Sequence, residues 1–251
     1  MEARVAHDLA ALYPARISGA FISHLHSDHV IDYPELAAAL WWRRSAPLRV
    51  WAPADFHAMH DATVAFLAPD TALRVGGRQP ASALTPDRIE VTSITPGVLL
   101  EREDLRVEAF VVNHGDIEPA FGFRIIAGES VIVISGDTAY SETLVAQAAG
   151  ADLLIHEVIG DAALGSRPPA WRAYHSAAHT SASELARVAL AAKPGLLVLT
   201  HGLYFGEPEL DVLAEIEAAG YQGATVLAED LDVFEAPFSA LNLRRRPWGM
   251  R

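Results

Sequence analysis

The sequence predicts an α/β protein whose sheets are covered by helices, and three observations carry that expectation. Residues 88–135 alternate in the manner of strands, as IEVTSI, LRVEAFVV, FGFRII and SVIVIS, broken at Pro96, Gly115 and Gly128. Beyond residue 140 the rhythm becomes helix then strand, several times over. The composition, 51% apolar and 20% charged, is that of a globular chain with a sizeable core. Interleaved elements of both periods bury sheets beneath helices. A length of 251 residues suits one α/β domain, 1–251.

In chain order, residues 17–23 (ISGAFIS) form a short apolar run that reads as a strand, and 34–42, opening at Pro34, read as a helix start rich in Ala and Leu. A strand is expected at 48–52 and a helical pattern from about 55 to 67. A connection bearing Gly, Pro and Ser follows near 76–86. After the strand run come a helix at 141–149, a strand at 152–156, a helix at 181–192, a strand at 196–200 and a helix at 208–219. Strands near 224–227 and 232–235 close the pattern.

Composition excludes several classes of function. With no cysteine there are no disulfides, thiolate metal sites or cysteine nucleophiles, so any metal must use His, Asp and Glu. The net charge of −13 disfavours electrostatic binding of polyanions, so nucleic acid is not an expected partner. Arg244, Arg245 and Arg246 read as part of a solvated tail, 242–251. No apolar run reaches the roughly 18 residues of a spanning helix. Met1–Leu12 mixes Glu2, Arg4, His7 and Asp8 with short apolar residues, unlike a signal peptide. No membrane partner and a cytoplasmic location are therefore expected.

The chemistry concentrates directly after the first strand, at His24, Leu25, His26, Ser27, Asp28 and His29. In extended chain His24 and His26 project to one face, and a following turn can bring Asp28 and His29 toward a second nearby point. Imidazole and carboxylate together suit zinc, manganese or iron. Four such residues within six positions at a strand end are hard to explain as packing.

This segment resembles the His-X-His-X-Asp-His signature of the metallo-β-lactamase superfamily, and later segments occur in the order that family requires. VVNHGDIEPAFGFRI resembles its third-ligand element, with His114 at the end of a strand over 105–112. VIVISGDTAYS resembles its bridging-carboxylate element, with Asp137 after Gly136, and LLVLTHG ends a strand at His201, the last ligand of the pattern. The resemblance covers about residues 17–235. It implies a four-layer αβ/βα sandwich holding two Zn2+ ions, with Mn2+ or Fe as alternatives. His24, His26 and His114 would hold the first ion, Asp28, His29 and His201 the second, and Asp137 would bridge. A metal-bridging hydroxide would then attack an ester, and the local positive charge, about +4 before Asp28 and Asp137 offset it, would draw in an anionic substrate.

Two further segments resemble paired elements of the ribonuclease Z and arylsulfatase-like branch: DLLIHEV, with His156 and Glu157, and AAHTSASELARVA, with His179 and Thr180. By that resemblance His179 would touch the scissile group or pass a proton to the leaving oxygen, and Glu157 would orient it. Asp28, His179 and Glu157 are thus the candidate catalytic residues. His179 also stands at a helix start, where Thr180 or Ser181 with Glu184 reads as a capping box. HEVIG lacks the second histidine of a zincin helix. His57 and His60, beside Asp55 and Asp61, read as an exposed polar helix face more than as a metal site. His175 reads as a cleft or loop residue, and Trp41, Trp42 and Trp171 as pocket lining or core.

Only 23 residues precede His24, fewer than the N-terminal strands of that branch need, so the expectation is either a shortened first sheet or a start downstream of the true one; a missing sheet edge would favour a homodimer or instability. Only 22 residues separate His114 from Asp137, too few for the tRNA-clamping arm that ribonuclease Z inserts beyond its third ligand. The expected reaction is therefore cleavage of a phosphodiester or an aryl sulfate or phosphate ester of a small anionic substrate. Ribonuclease Z-type cleavage of RNA is the alternative, and a catalytically silent metal-binding or dimerisation module is the rival outside enzymes.

Overall fold

A computed structural model describes residues 13–80, 83–206, 210–230 and 232–234. They divide into two compact units, one ending at Ile94 and the other beginning at Thr95. The readings made of Met1–Leu12 and of the 242–251 tail lie outside the described residues.

The first unit is built on three parallel strands, β1 (Gly19–Phe21), β2 (Arg49–Ala52) and β3 (Glu90–Ser93), in that spatial order. Parallel neighbours need crossovers, which helices supply: α1 (Ser27–Val30) and α2 (Tyr33–Ala38), then α3 (Phe56–Gly76). The helix expected over 34–42 stops at Ala38 because Leu40 turns left-handed (φ 51°) ahead of a single 3-10 turn at Trp41–Arg43. In contrast α3 continues past the expected 67 to Gly76. Phe56, His60, Thr63 and Leu67 line its inner stripe, and that packing carries the helix through Pro69, which forgoes one bond to the Ala65 carbonyl.

Tyr33, Ala37, Leu48, Val50, Ala52 and Phe56 form this unit's core. His60 belongs to the buried side and not to the polar face read from sequence. Burial lowers the His60 pKa and raises that of Tyr33, so the phenol keeps its proton and donates to His60 Nδ1 at 2.6 Å. His57 stays exposed, 3.2 Å from the Ser93 hydroxyl. Trp41 is core, whereas Trp42 carries the Arg74 guanidinium 3.9 Å above its ring.

The second unit is a seven-stranded sheet. In chain order its strands are β4 (Gly97–Arg102), β5 (Leu105–Val112), β6 (Ala120–Ala127), β7 (Ser130–Ile134), β8 (Leu153–Ile159), β9 (Leu196–Leu203) and β10 (Thr225–Leu227), and in space they run from β4 to β10 without permutation. Strands β4 to β7 pair antiparallel and β7 to β10 parallel. The parallel steps are crossed by α4 (Glu142–Gln147), then α5 (Asp161–Gly165), α6 (Pro169–Ala178) and α7 (Ala182–Ala192), and finally α8 (Leu210–Ala218). Strands β8 and β9 of this sheet are buried on both faces, as parallel strands require. Leu154, Val158, Leu197 and Leu199 pack with Leu144, Leu185 and Ile216 from the helices, while Ile132, Leu153, Leu196 and Val198 form a second cluster. Residues 232–234, expected to begin a strand, are not one.

Strands β5 and β7 both run antiparallel to β6, so their C-terminal ends emerge at the same edge as those of the parallel β8 and β9. That edge receives His114, Asp137, Glu157 and His201. No helix among the described residues is long and apolar enough to cross a membrane.

Candidate metal centre

Each unit carries its own cluster of metal-type side chains. In the first, His24 and His26 lie on the extended segment after β1, and Asp28 and His29 on the first turn of α1, for which His26 is the N-cap. Strand alternation puts both earlier imidazoles on one side, with His24 Nε2 3.1 Å from His26 Nδ1. The His29 ring stands 4.1 Å from that of His24, and its Nε2 lies 3.5 Å from Asp28 Oδ2. His24 is fully buried, while the Asp28 side chain is 64% exposed.

In the second unit, Gly115 (φ 59°) and Gly136 (φ 61°) supply the left-handed turns that take the chain off β5 and β7 beside His114 and Asp137. The two turns are stitched together: Ala139 N–H donates to the Asn113 carbonyl at 2.6 Å, and Asn113 N–H to the Thr138 hydroxyl at 3.1 Å. His201 reaches the same point by a different device. Against β8 the register of β9 slips between Glu157 and Val158, leaving His201 as the extra residue of a bulge with φ 47°. A bulge re-aims one side chain out of strand alternation, and here His201 Nε2 comes 3.6 Å from Asp137 Oδ2. Potential ligand atoms of His114, Asp137 and His179, all buried, lie within 4.8 Å of one another.

The donor set fits a borderline divalent cation. His114 donates its Nδ1–H to the Ala178 carbonyl at 2.8 Å, which fixes the tautomer and leaves the Nε2 lone pair for a ligand. Imidazoles and carboxylates without a single thiolate are the set that zinc, manganese or iron accepts.

Glu157 organises this edge through backbone. Its Oε1 accepts from Thr138 N–H at 3.3 Å and Thr180 N–H at 3.0 Å, and the Thr180 hydroxyl donates to the Thr138 carbonyl at 2.6 Å. The carboxylate therefore ties the Asp137 turn to the His179 segment, and His179 Nδ1 lies 3.4 Å from the same Oε1. Burial, then the like charge of Asp137, pushes the Glu157 carboxyl well above the usual range, against the pull of its two backbone donors. His179 itself is the C-cap of α6, and Ser181 with Glu184 forms the capping box that opens α7, as the helix-start reading of this segment expected. His175 sits on the last turn of α6 and not in a loop. Sequence reasoning missed the Thr138–Glu157–Thr180 clamp, whose only trace was a threonine following each of Asp137 and His179.

A family model described as the beta-lactamase superfamily domain matches residues 3–202. The chain belongs to the metallo-β-lactamase superfamily. Within the superfamily, it is 30% identical over 190 residues to ribonuclease Z of Mycobacterium sp. (strain KMS), a match covering 74% of this chain. The matched stretch spans 66% of that relative's own length, just under two thirds. The metallo-β-lactamase-fold protein YhfI from Bacillus subtilis superposes with a TM-score of 0.65 at 19% identity, over 88% of this chain and 79% of that one. Human tRNase Z, short form, gives 0.61 at 22% identity, over 90% and 81%. These likenesses show the metallo-β-lactamase fold, and with it a mixed α/β architecture of two sheets and helices.

Proposed function

We propose that this superfamily hydrolase is a metal-dependent phosphodiesterase, and that its substrate carries the scissile phosphodiester in or beside a nucleotide-like group. The observation that carries the reading is the convergence of buried His114, Asp137 and His179 at one sheet edge, with His201 turned toward Asp137 by a bulge. The names of the relatives support the phosphodiester, since ribonuclease Z and tRNase Z denote cleavage of RNA. Nothing comparable supports a sulfate ester. The family pattern assigns seven ligands: His24, His26 and His114 to one ion, Asp28, His29 and His201 to a second, and Asp137 to both. Bound there, two divalent cations of zinc type would acidify water and neutralise charge on the departing oxygen.

The remaining work falls to the chain. His114, with its Nδ1–H committed to Ala178, presents one fixed nitrogen. In this reading His179 gives a proton to the leaving oxygen, and Glu157, held by two backbone donors and 3.4 Å from Nδ1, orients the imidazole. A local excess of positive charge also accounts for how a chain of net charge −13 could accept a polyanion. A small phosphodiester is favoured as the second reading by the segment between His114 and Asp137, which is spent on β6 and β7 and contains no arm.

The test is hydrolysis of bis(p-nitrophenyl) phosphate, p-nitrophenyl sulfate and a precursor tRNA by zinc- or manganese-loaded protein. Phosphodiester cleavage is expected to vanish on chelation and to fall at least about 100-fold in Asp137→Ala, beyond the 10- to 100-fold typical of residues that merely support ligands. Processing of the tRNA assigns the ribonuclease reading, and turnover of only the small diester assigns the other. Stoichiometric metal with no turnover of any of the three would overturn the proposal in favour of a silent metal-binding module.

A further inference from the structure

Helix α6 leads away from His179 along a row of rings. His175 lies 5.8 Å from His179 between centroids, Trp171 stacks on His175 at 5.8 Å with only 25° between planes, and Phe205 closes on His175 at 5.0 Å. Tyr174 meets Trp171 and His175 edge-on, at 5.9 and 5.2 Å. A helix presents residues i and i+4 on one face, so Trp171, His175 and the capping His179 form one line.

Two features separate this row from ordinary packing. The rings beyond the buried imidazole stand open to solvent: Trp171 is 58% exposed, Tyr174 46% and Phe205 37%, although large aromatic side chains usually end up mostly buried. Phe205 is also held at φ 49°, next to Gly206 at φ 94°, an unfavourable backbone for a bulky residue. Its ring carries the Arg167 guanidinium at 4.7 Å. An exposed aromatic surface with a cation at its border, joined edge to edge with a catalytic imidazole, matches the way proteins hold planar groups attached to phosphate: stacking for the ring and positive charge for the anion.

We propose that Trp171, His175 and Phe205, with Arg167, form a stacking subsite for the planar aromatic group attached to the scissile phosphodiester. This rests on the phosphodiesterase reading for its chemistry, and names the part of the substrate that this chain selects. The occupant is a flat ring carrying a phosphate ester, whether the base of a nucleotide or a simple aryl group.

Binding to metal-free protein tests the subsite apart from turnover. Calorimetric titration with adenosine 5′-monophosphate, p-nitrophenyl phosphate and ribose 5-phosphate compares two planar probes with one that has the anion and no aromatic ring. At least one planar probe is expected to bind about 10-fold more tightly than ribose 5-phosphate, within the range that base stacking contributes. That ratio should collapse in Trp171→Ala and in Phe205→Ala and be retained in Trp171→Tyr; circular dichroism checks that all three fold. A preference for adenosine monophosphate alone identifies a nucleobase as the occupant, and one for the nitrophenyl ester alone a simple aryl group. Equal affinity for all three probes, or a preference untouched by both alanine variants, would overturn the subsite. Failure of metal-loaded protein to cleave any diester would remove the phosphodiesterase reading while leaving a measured stacking preference intact, so the two ideas fail separately.

Discussion

His201 shows what one residue costs and provides. A left-handed φ of 47° is unfavourable for an L-residue by about 1–2 kcal/mol, and glycine escapes that penalty. We therefore expect His201→Gly to be about 1 kcal/mol more stable than His201→Ala in urea unfolding, the reverse of the usual order within a strand, while both lose metal-dependent turnover. Equal stabilities would mean that the bulge is not held as described. The position of His201 at the end of an apolar strand was legible, but its conformation was not. A bulge belongs to the pairing of β9 with β8, and the sequence of β9 alone carries no trace of that mismatch. The same holds for His60, whose partner Tyr33 is 27 residues away.

Among the elements, β8 carries two adjacent titratable residues, His156 and Glu157, both buried. Burial lowers the His156 pKa from the usual 6.5 to about 4. Between those values the unfolded chain takes up a proton that the folded one refuses, so this group's contribution is complete above pH 6.5 and is lost as pH falls toward 4. The loss amounts to about 3 kcal/mol. His156→Gln keeps a polar side chain there without the titration. The stability advantage of the parent over that variant is expected to shrink by about 3 kcal/mol between pH 6.5 and 4, measured by denaturant unfolding at each pH, and a constant difference would refute the assignment. Strands β5 to β7 were legible from apolar alternation, and β8, α7 and β9 from the helix-then-strand rhythm of the later chain. Strand β4, which was missed, is largely exposed, so it offers little apolar pattern. α6 begins at consecutive prolines and keeps most of its residues exposed, so it reads as a loop until its position in the fold is known.

For the whole molecule, a cation held only by the folded state adds stability by mass action, about 2.7 kcal/mol at a free concentration one hundred times Kd. Chelation is expected to lower the calorimetric melting midpoint by several degrees, and Asp137→Ala to abolish that shift along with activity; a midpoint indifferent to chelator would argue against a resident metal. The superfamily was legible because the His and Asp residues of its pattern occur in order along the chain, close to the ends of apolar strands. The net charge of −13 says little for or against a polyanionic substrate, because a sum over all side chains is blind to where charge sits. Helix α6 carries one last implication. Its outer turns are open to solvent while its final cap is buried beside the carboxylate clamp. Mutations on the outer turns should cost little folding energy, within about 0.5 kcal/mol at exposed positions. Divergence among descendants of this chain can therefore begin there, with substrate preference drifting first while the hydrolytic apparatus is inherited unchanged.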